Sequence, residues 1–166
     1  YIEVNLVKKA LEQPNAKVVA NSIVKKVNPD YVSYSSYDAT NPNKTEASMR
    51  KDLVKSLDYL EAQLSPKEGL PKGKRVWIGE YGNPTNKHSD EMQNLRSIWT
   101  MKIALEWGTP FILYWEMYNN EIDAKNGEQV GYWLINDKGT KQPIWHTHNS
   151  FYKESRAYVK EYIKAN

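Results

Sequence analysis

Apolar residues recur along the chain in two rhythms, and the switches between them divide it into strands and helices. Tyr1 to Asn5 alternates in character and runs straight into a stripe of Leu6, Val7, Ala10 and Leu11 that Pro14 and Asn15 stop, which predicts a strand tail followed by a helix. A shorter pattern from Ala16 to Val27, carried by Val18, Val19, Ile23 and Val27, predicts a second helix ending at Asn28 and Pro29. Tyr31 to Tyr37, rich in Tyr, Val and Ser and followed by Asn41 and Pro42, reads as a strand. Thr45 is placed to cap the next helix, whose Leu53, Leu57, Leu60 and Leu64 keep the i, i+4, i+7, i+11 spacing of one buried face until Ser65 and Pro66 close it. A loop containing Gly69, Pro71 and Gly73 leads into Val76, Trp77 and Ile78, a short buried strand that ends in Glu80 and is broken by Gly82, Asn83 and Pro84. Ser89 or Asp90 caps a further helix, with Leu95, Ile98, Met101 and Leu105 on one face and Gly108 as its stop. The run Thr109 to Tyr118 is continuously apolar and predicts another buried strand. After a polar loop from Asn119 to Gln129, the segment Gly131 to Ile135 and a turn from Asn136 to Gly139 precede a last helix, with Phe151, Ser155, Tyr158 and Tyr162 on its stripe.

Strands that alternate with amphipathic helices imply an α/β fold with a parallel sheet, and residues 1–166 read as one domain without a linker. An open nucleotide-binding sheet would be expected to carry a glycine-rich phosphate loop after its first strand, and neither GxGxxG nor GxxxxGK[ST] occurs here. The alternative is a β/α barrel, whose active-site groups stand at the C-terminal ends of several strands. Period-two alternation then puts Tyr31, Ser33, Ser35 and Tyr37 on one face of their strand, Val76, Ile78 and Glu80 on one face of theirs, and Phe111, Leu113 and Trp115 on one face of the last. If these faces point inward, Tyr37, Glu80 and Trp115 share the rim.

Composition narrows the chemistry further. With 23 Lys and Arg against 20 Asp and Glu, the net charge of +3 is spread along helical faces and does not form the basic stripe of a nucleic-acid binder. No apolar run approaches the roughly 18 residues of a membrane span, so neither nucleic acid nor a membrane is an expected partner. The absence of Cys excludes disulfides and thiolate chemistry. His146 and His148 form an HxH without a third ligand nearby and read, like His88, as surface residues; no metal or cofactor is expected. The 12 Tyr and 6 Trp against 2 Phe give most rings a polar edge, which suits a wet, concave binding surface. Asn43-Lys44-Thr45 is a formal glycosylation sequon, with meaning only in a eukaryotic secreted protein.

Gly79-Glu80-Tyr81-Gly82 at a strand end, the following YWEMYNNE from Tyr114 to Glu121, and the stretch Gly131 to Pro143 together resemble the C-terminal half of retaining glycoside hydrolases with a (β/α)8 barrel, the clan of cellulases, mannanases and β-galactosidases. The resemblance implies that the chain supplies strands five to eight, with Glu80 as the nucleophile at the end of strand seven. Tyr37, or Tyr34, would be its hydrogen-bonding tyrosine, and Trp115 the ring beneath the sugar. Tyr81, Tyr118, Trp133, Glu3, Asn119 and Glu121 are the further residues expected to contact an oligo- or polysaccharide. Retention needs two carboxyl groups about 5 Å apart, one attacking and one protonating the leaving oxygen. The resemblance places that second acid on strand four, outside this chain. Four strands make a partial barrel, so completion by an N-terminal half, another chain or a second copy is expected. A secreted or periplasmic location is compatible with such a substrate. The competing expectation is a carbohydrate-binding or structural half-barrel without hydrolytic activity.

Overall fold

The computed structural model describes residues 1–165. Its contacts gather into two compact units, one of residues 1–82 with 99–115, the other of residues 83–98 with 116 onward.

The first unit is α/β. Its elements are β1 (Ile2–Val4), α1 (Val7–Glu12), α2 (Val19–Ser22), α3 (Val24–Val27), β2 (Val32–Ser35), α4 (Tyr37–Thr40), α5 (Glu46–Glu61), β3 (Val76–Tyr81), the C-terminal half of α6 (Asp90–Trp107) and β4 (Ile112–Tyr114). The four strands form one parallel sheet in the order β1-β2-β3-β4, as the alternation of strands and helices requires. Register aligns Ile2 with Val32 and Val76, and Val4 with Tyr34, Ile78 and Ile112. These side chains share one face and join Val7, Ala10, Ala20, Val24, Ala39, Met49, Leu53, Leu57, Leu60, Ile103 and Ala104 in the core. The opposite face carries Glu3, Ser33 and Trp77, again in register. On that face Trp77 gathers Tyr1, Tyr31 and Phe111, with ring centroids 5.2, 5.5 and 5.4 Å away.

Some predicted elements hold and others shift for identifiable reasons. Thr45 caps α5, its side chain accepting the Ser48 N–H at 3.2 Å, and Leu53, Leu57 and Leu60 of the predicted stripe are fully buried. The second predicted helix breaks at Ile23 into α2 and α3, and its inward residues are Ala20 and Val24, while Val19, Ile23 and Val27 are exposed. The strand ending in Ser35 is shorter than expected, because Ser36 turns the chain into α4, so Tyr37 opens a helical turn instead of ending a strand. The apolar run after Gly108 is not buried on both faces: Phe111 and Leu113 are 56% and 55% exposed. The other expected stripe holds only at Met101, which is in the core. Leu95, Ile98 and Leu105 of α6 are exposed, whereas Gln93, Arg96, Ser97, Thr100, Ile103 and Ala104 are buried.

The N-terminal end of the sheet is fastened by Arg75, just before β3. Its guanidinium donates to the carbonyls of Asp30 (2.8 Å), Ser65 (2.6 Å) and Pro29, and to Asn28 Oδ1 (3.4 Å). The Glu61 carboxylate at the end of α5 accepts the backbone N–H groups of Arg75 and Val76 at 3.0 and 3.2 Å. Helix α5 also meets the C-terminal half of α6 through Arg50 with Glu106 and Lys102 with Glu46, surface pairs that water and salt screen.

In the second unit, buried polar groups organise the N-terminal half of α6. Asn83 donates to Ser97 Oγ (3.2 Å) and accepts from Arg96 Nε (2.8 Å), and Gln93 Nε2 donates to the carbonyls of Asn83 and Gly131 (2.8 and 3.0 Å). That network is why the polar side of this half-helix is the buried one. The last helix, α7 (Pro143–Ala165), forms as predicted, but Phe151, Tyr158 and Tyr162 of its stripe are exposed. Among the described residues no helix is long and apolar enough to cross a membrane.

Candidate functional site

The C-terminal ends of β1, β2 and β3 surround a recess of about 450 Å³ lined by Glu3, Asn5, Leu6, Ser35, Tyr37, Asp38 and Glu80. A parallel sheet collects the tips of all its strands at one end, so groups distant in sequence converge there.

Glu80 reaches this recess because β3 is irregular. Tyr34 pairs with Ile78, but the next residue of β2, Ser35, pairs with Glu80, leaving Gly79 as an extra residue in β3. Such a bulge breaks the period-two alternation. Ile78 and Tyr81 therefore both face the helices, and Tyr81 packs edge-on against Tyr114 at 5.2 Å with its side chain fully buried. The expected inward face of Val76, Ile78 and Glu80 is thus corrected: Val76 and Ile78 belong to the helix-side core, and the bulge separates Glu80 from them. Tyr81, expected to help form a sugar platform, lies in that core, where burial pushes its hydroxyl well above the usual phenol range.

The neighbouring groups are held by specific bonds. Ser36 donates both its N–H (2.9 Å) and its hydroxyl (3.1 Å) to the Glu80 carbonyl, fixing the backbone of the acid. Glu3 Oε1 accepts from Ser35 Oγ at 2.6 Å. Glu3 Oε2 lies 3.3 Å from where a Cβ on Gly79 would stand, and Ser33 Oγ lies 1.8 Å from the same point. Gly79 is therefore required for the close approach of β1 and β2 side chains to β3 beside Glu80. Asp38 accepts from the Tyr34 hydroxyl at 2.6 Å and from the backbone N–H of Lys8, in the first turn of α1, at 2.8 Å. Burial first, and then the Asp38 carboxylate, push the Tyr34 hydroxyl well above the phenol range, so it remains a donor. Leu6 holds φ 53° and ψ 36° between β1 and α1 and is 45% exposed, a left-handed conformation that costs a side chain about 1–2 kcal/mol.

A Gly79→Ala chain is expected to lose about 1–3 kcal/mol of stability, since the added methyl must displace Ser33. Urea denaturation measures it, and Ser33→Ala in the same chain is expected to restore part of the loss.

Of the residues predicted from sequence, Glu80, Tyr37 and Glu3 come together at this recess. Tyr34, the other candidate tyrosine, is buried and committed to Asp38. Trp115 follows β4 directly, half-buried, and its N–H donates to the carbonyl of Tyr81, next to Glu80, at 2.9 Å. Tyr118, Asn119, Glu121 and Trp133 belong to the second unit. There Asn119 accepts the Gly131 N–H at 2.8 Å and donates to the Glu121 carbonyl at 2.7 Å, a bracing role for its amide. Tyr118 is exposed; Glu121 and Trp133 are half-buried. His148 is half-buried, its Nδ1 2.8 Å from the Ile144 carbonyl, and burial lowers its pKa; His146 is exposed. His88 is also half-buried, its pKa lowered by burial and by Arg96 and Lys87. Among the described residues no group of three or more His, Cys, Asp or Glu is arranged to hold a metal ion.

Asn5 and Asp38 line the recess without having been singled out from sequence, whereas Ser35 was placed on the face of its strand expected to point inward. The signal was present for Asn5, which lies two residues beyond Glu3 at the end of β1. Comparison of the chain with protein-family models, curated proteins and solved structures returns no match.

Proposed function

We propose that the chain carries the nucleophile side of a retaining glycoside-hydrolase-type site, on β/α units equivalent to strands five to eight of a (β/α)8 barrel. The supporting observation is the placement of Glu80 on a bulged strand tip, in a recess at the C-terminal end of a parallel sheet whose strands follow chain order. Strand order without reversal, and a core built from one face of the sheet, are what a barrel segment has and a doubly wound sheet lacks. In this reading Glu80 attacks the anomeric carbon and forms the glycosyl-enzyme ester. Tyr37 orients the carboxylate, Trp115 supports the sugar ring, and the acid that protonates the leaving oxygen comes from outside this chain. The test is hydrolysis of dinitrophenyl β-glycosides by the chain and by its Glu80→Gln variant. Equal turnover by the two would remove Glu80 from the mechanism.

A further inference from the structure

The C-terminal part of α7 has the pattern of a covered helix and the exposure of an uncovered one. Its first turns are anchored: Ile144 is buried, and the Thr147 hydroxyl donates to Asn94 Oδ1 of α6 at 2.7 Å. From Ser150 to Ala165 every residue except Ser155 is exposed. Yet with about 100° of turn per residue, Phe151, Tyr152, Tyr158, Val159 and Ile163 fall within one arc of about 140° around Ser155, and no charged side chain stands in that arc. These five are 46%, 63%, 69%, 51% and 69% exposed. Aromatic and β-branched residues are indifferent helix formers, so such a face is explained by packing and not by propensity. Charge borders the stripe unequally. Glu154 and Glu161 lie along the edge formed by Phe151 and Tyr158, whereas Arg156 and Lys160 lie along the edge formed by Tyr152 and Ile163.

We propose that this face of α7 is a self-association surface, which pairs in parallel with the same face of a second copy of the chain. The bordering charges select both the occupant and its direction. When two such helices lie parallel about a two-fold axis, the acidic border of each meets the basic border of the other on both sides of the seam. In an antiparallel pair acid meets acid and base meets base. A lipid surface matches less well, because an interfacial helix offers cations to anionic headgroups and one border here is acidic. The area agrees with a second copy. At the exposures given, the five side chains offer on the order of 500 Å² on each copy, and the stems of the bordering residues extend this toward the roughly 800 Å² per partner of a standard interface. Ser155, small and central in the stripe, lets the two backbones approach. An interface at this lower end of the range associates reversibly, at micromolar concentrations.

The test is sedimentation equilibrium of the full chain across the micromolar range, where a reversible monomer–dimer equilibrium is expected. Val159→Glu puts a charge into the stripe and is expected to weaken the dimer by about tenfold or more. Lys153→Glu, on the opposite side of the helix, is expected to leave it unchanged. Both positions are exposed, so neither substitution endangers the fold. Glu154→Lys with Glu161→Lys makes every border basic and is expected to weaken association by about tenfold at low salt. Adding Arg156→Glu and Lys160→Glu to that chain exchanges the two borders and is expected to restore it. Direction is read by oxidative cross-linking, since the chain has no Cys of its own. Ser155→Cys and Tyr162→Cys, made separately, are both expected to form disulfide-linked dimers in a parallel pair, whereas an antiparallel pair brings at most one of the two positions opposite itself. A chain monomeric throughout the range, a dimer indifferent to Val159→Glu or to the paired Lys substitutions, or cross-linking at only one of the two positions overturns the proposal. So does a chain that binds vesicles of phosphatidylcholine and phosphatidylglycerol while remaining monomeric in solution.

Discussion

Replacing Glu80 by Gln is expected to lower the turnover of dinitrophenyl β-glycosides by roughly three to six orders of magnitude, the range seen when a covalent nucleophile is removed. The amide keeps the size of the carboxylate but cannot attack the anomeric carbon. Local geometry should survive, because Ser36 holds this strand tip by two bonds to the main-chain carbonyl of residue 80, which the substitution leaves in place. An unchanged melting temperature therefore accompanies the loss. The choice of leaving group matters: dinitrophenolate departs without protonation, so its first, burst release reports nucleophilic attack without an acid from outside the chain. In a Glu80→Ala chain, added azide can occupy the vacated space and attack in place of the carboxylate. The product expected there is the α-glycosyl azide, formed by a single inverting displacement, whereas azide acting on the glycosyl ester of the unmodified protein gives the β-anomer.

Arg75→Ala is expected to have the largest effect on stability, about 3–5 kcal/mol, read from the midpoint of urea denaturation. The side chain is buried at the N-terminal end of the sheet, far along β3 from Glu80, and its planar fork satisfies the carbonyls of Pro29, Asp30 and Ser65 together. Truncation leaves those acceptors without their donor in a poorly hydrated site, where each costs about 1–3 kcal/mol. Arg75→Lys is expected to recover only a minor part, because a single ammonium cannot span three divergent carbonyls. A loss below about 1 kcal/mol in Arg75→Ala would show that water replaces the guanidinium at little cost.

What was legible in the sequence follows from how local each signal is. Helix α5 was readable from its cap at Thr45 through the stripe as far as Leu60, because both are written in adjacent turns, but it ends at Glu61 and leaves Leu64 outside. Strand β3 was readable as a strand, but not the faces of its last residues. A bulge inserts one residue and reverses alternation beyond it, and Gly79 inside an otherwise β-branched and aromatic run was the available sign. Tyr81 was consequently assigned to the wrong side. Helix α6 misled through its apolar residues: Leu95 and Ile98 stand at helical spacing, yet hydrogen bonds from Gln93 and Arg96 to Asn83 decide which side is buried. Such pairings depend on tertiary structure and leave no period in the sequence. At the recess, Glu80, Tyr37 and Glu3 were anticipated, whereas Asp38 could be recognised only once α1 supplied the N–H that it accepts.

The central claim is that Glu80 forms a covalent bond to a sugar, and trapping that bond tests it most directly. A dinitrophenyl β-glycoside with fluorine in place of the ring hydroxyl next to the anomeric carbon forms the glycosyl ester but slows its hydrolysis, since fluorine destabilises the oxocarbenium-like transition state. After incubation with such glycosides, proteolysis and mass spectrometry are expected to show one sugar added to the peptide containing Glu80, with none in the Glu80→Gln chain. An adduct on a different residue, or none on a chain that still releases dinitrophenolate from the unfluorinated substrate, would contradict the account.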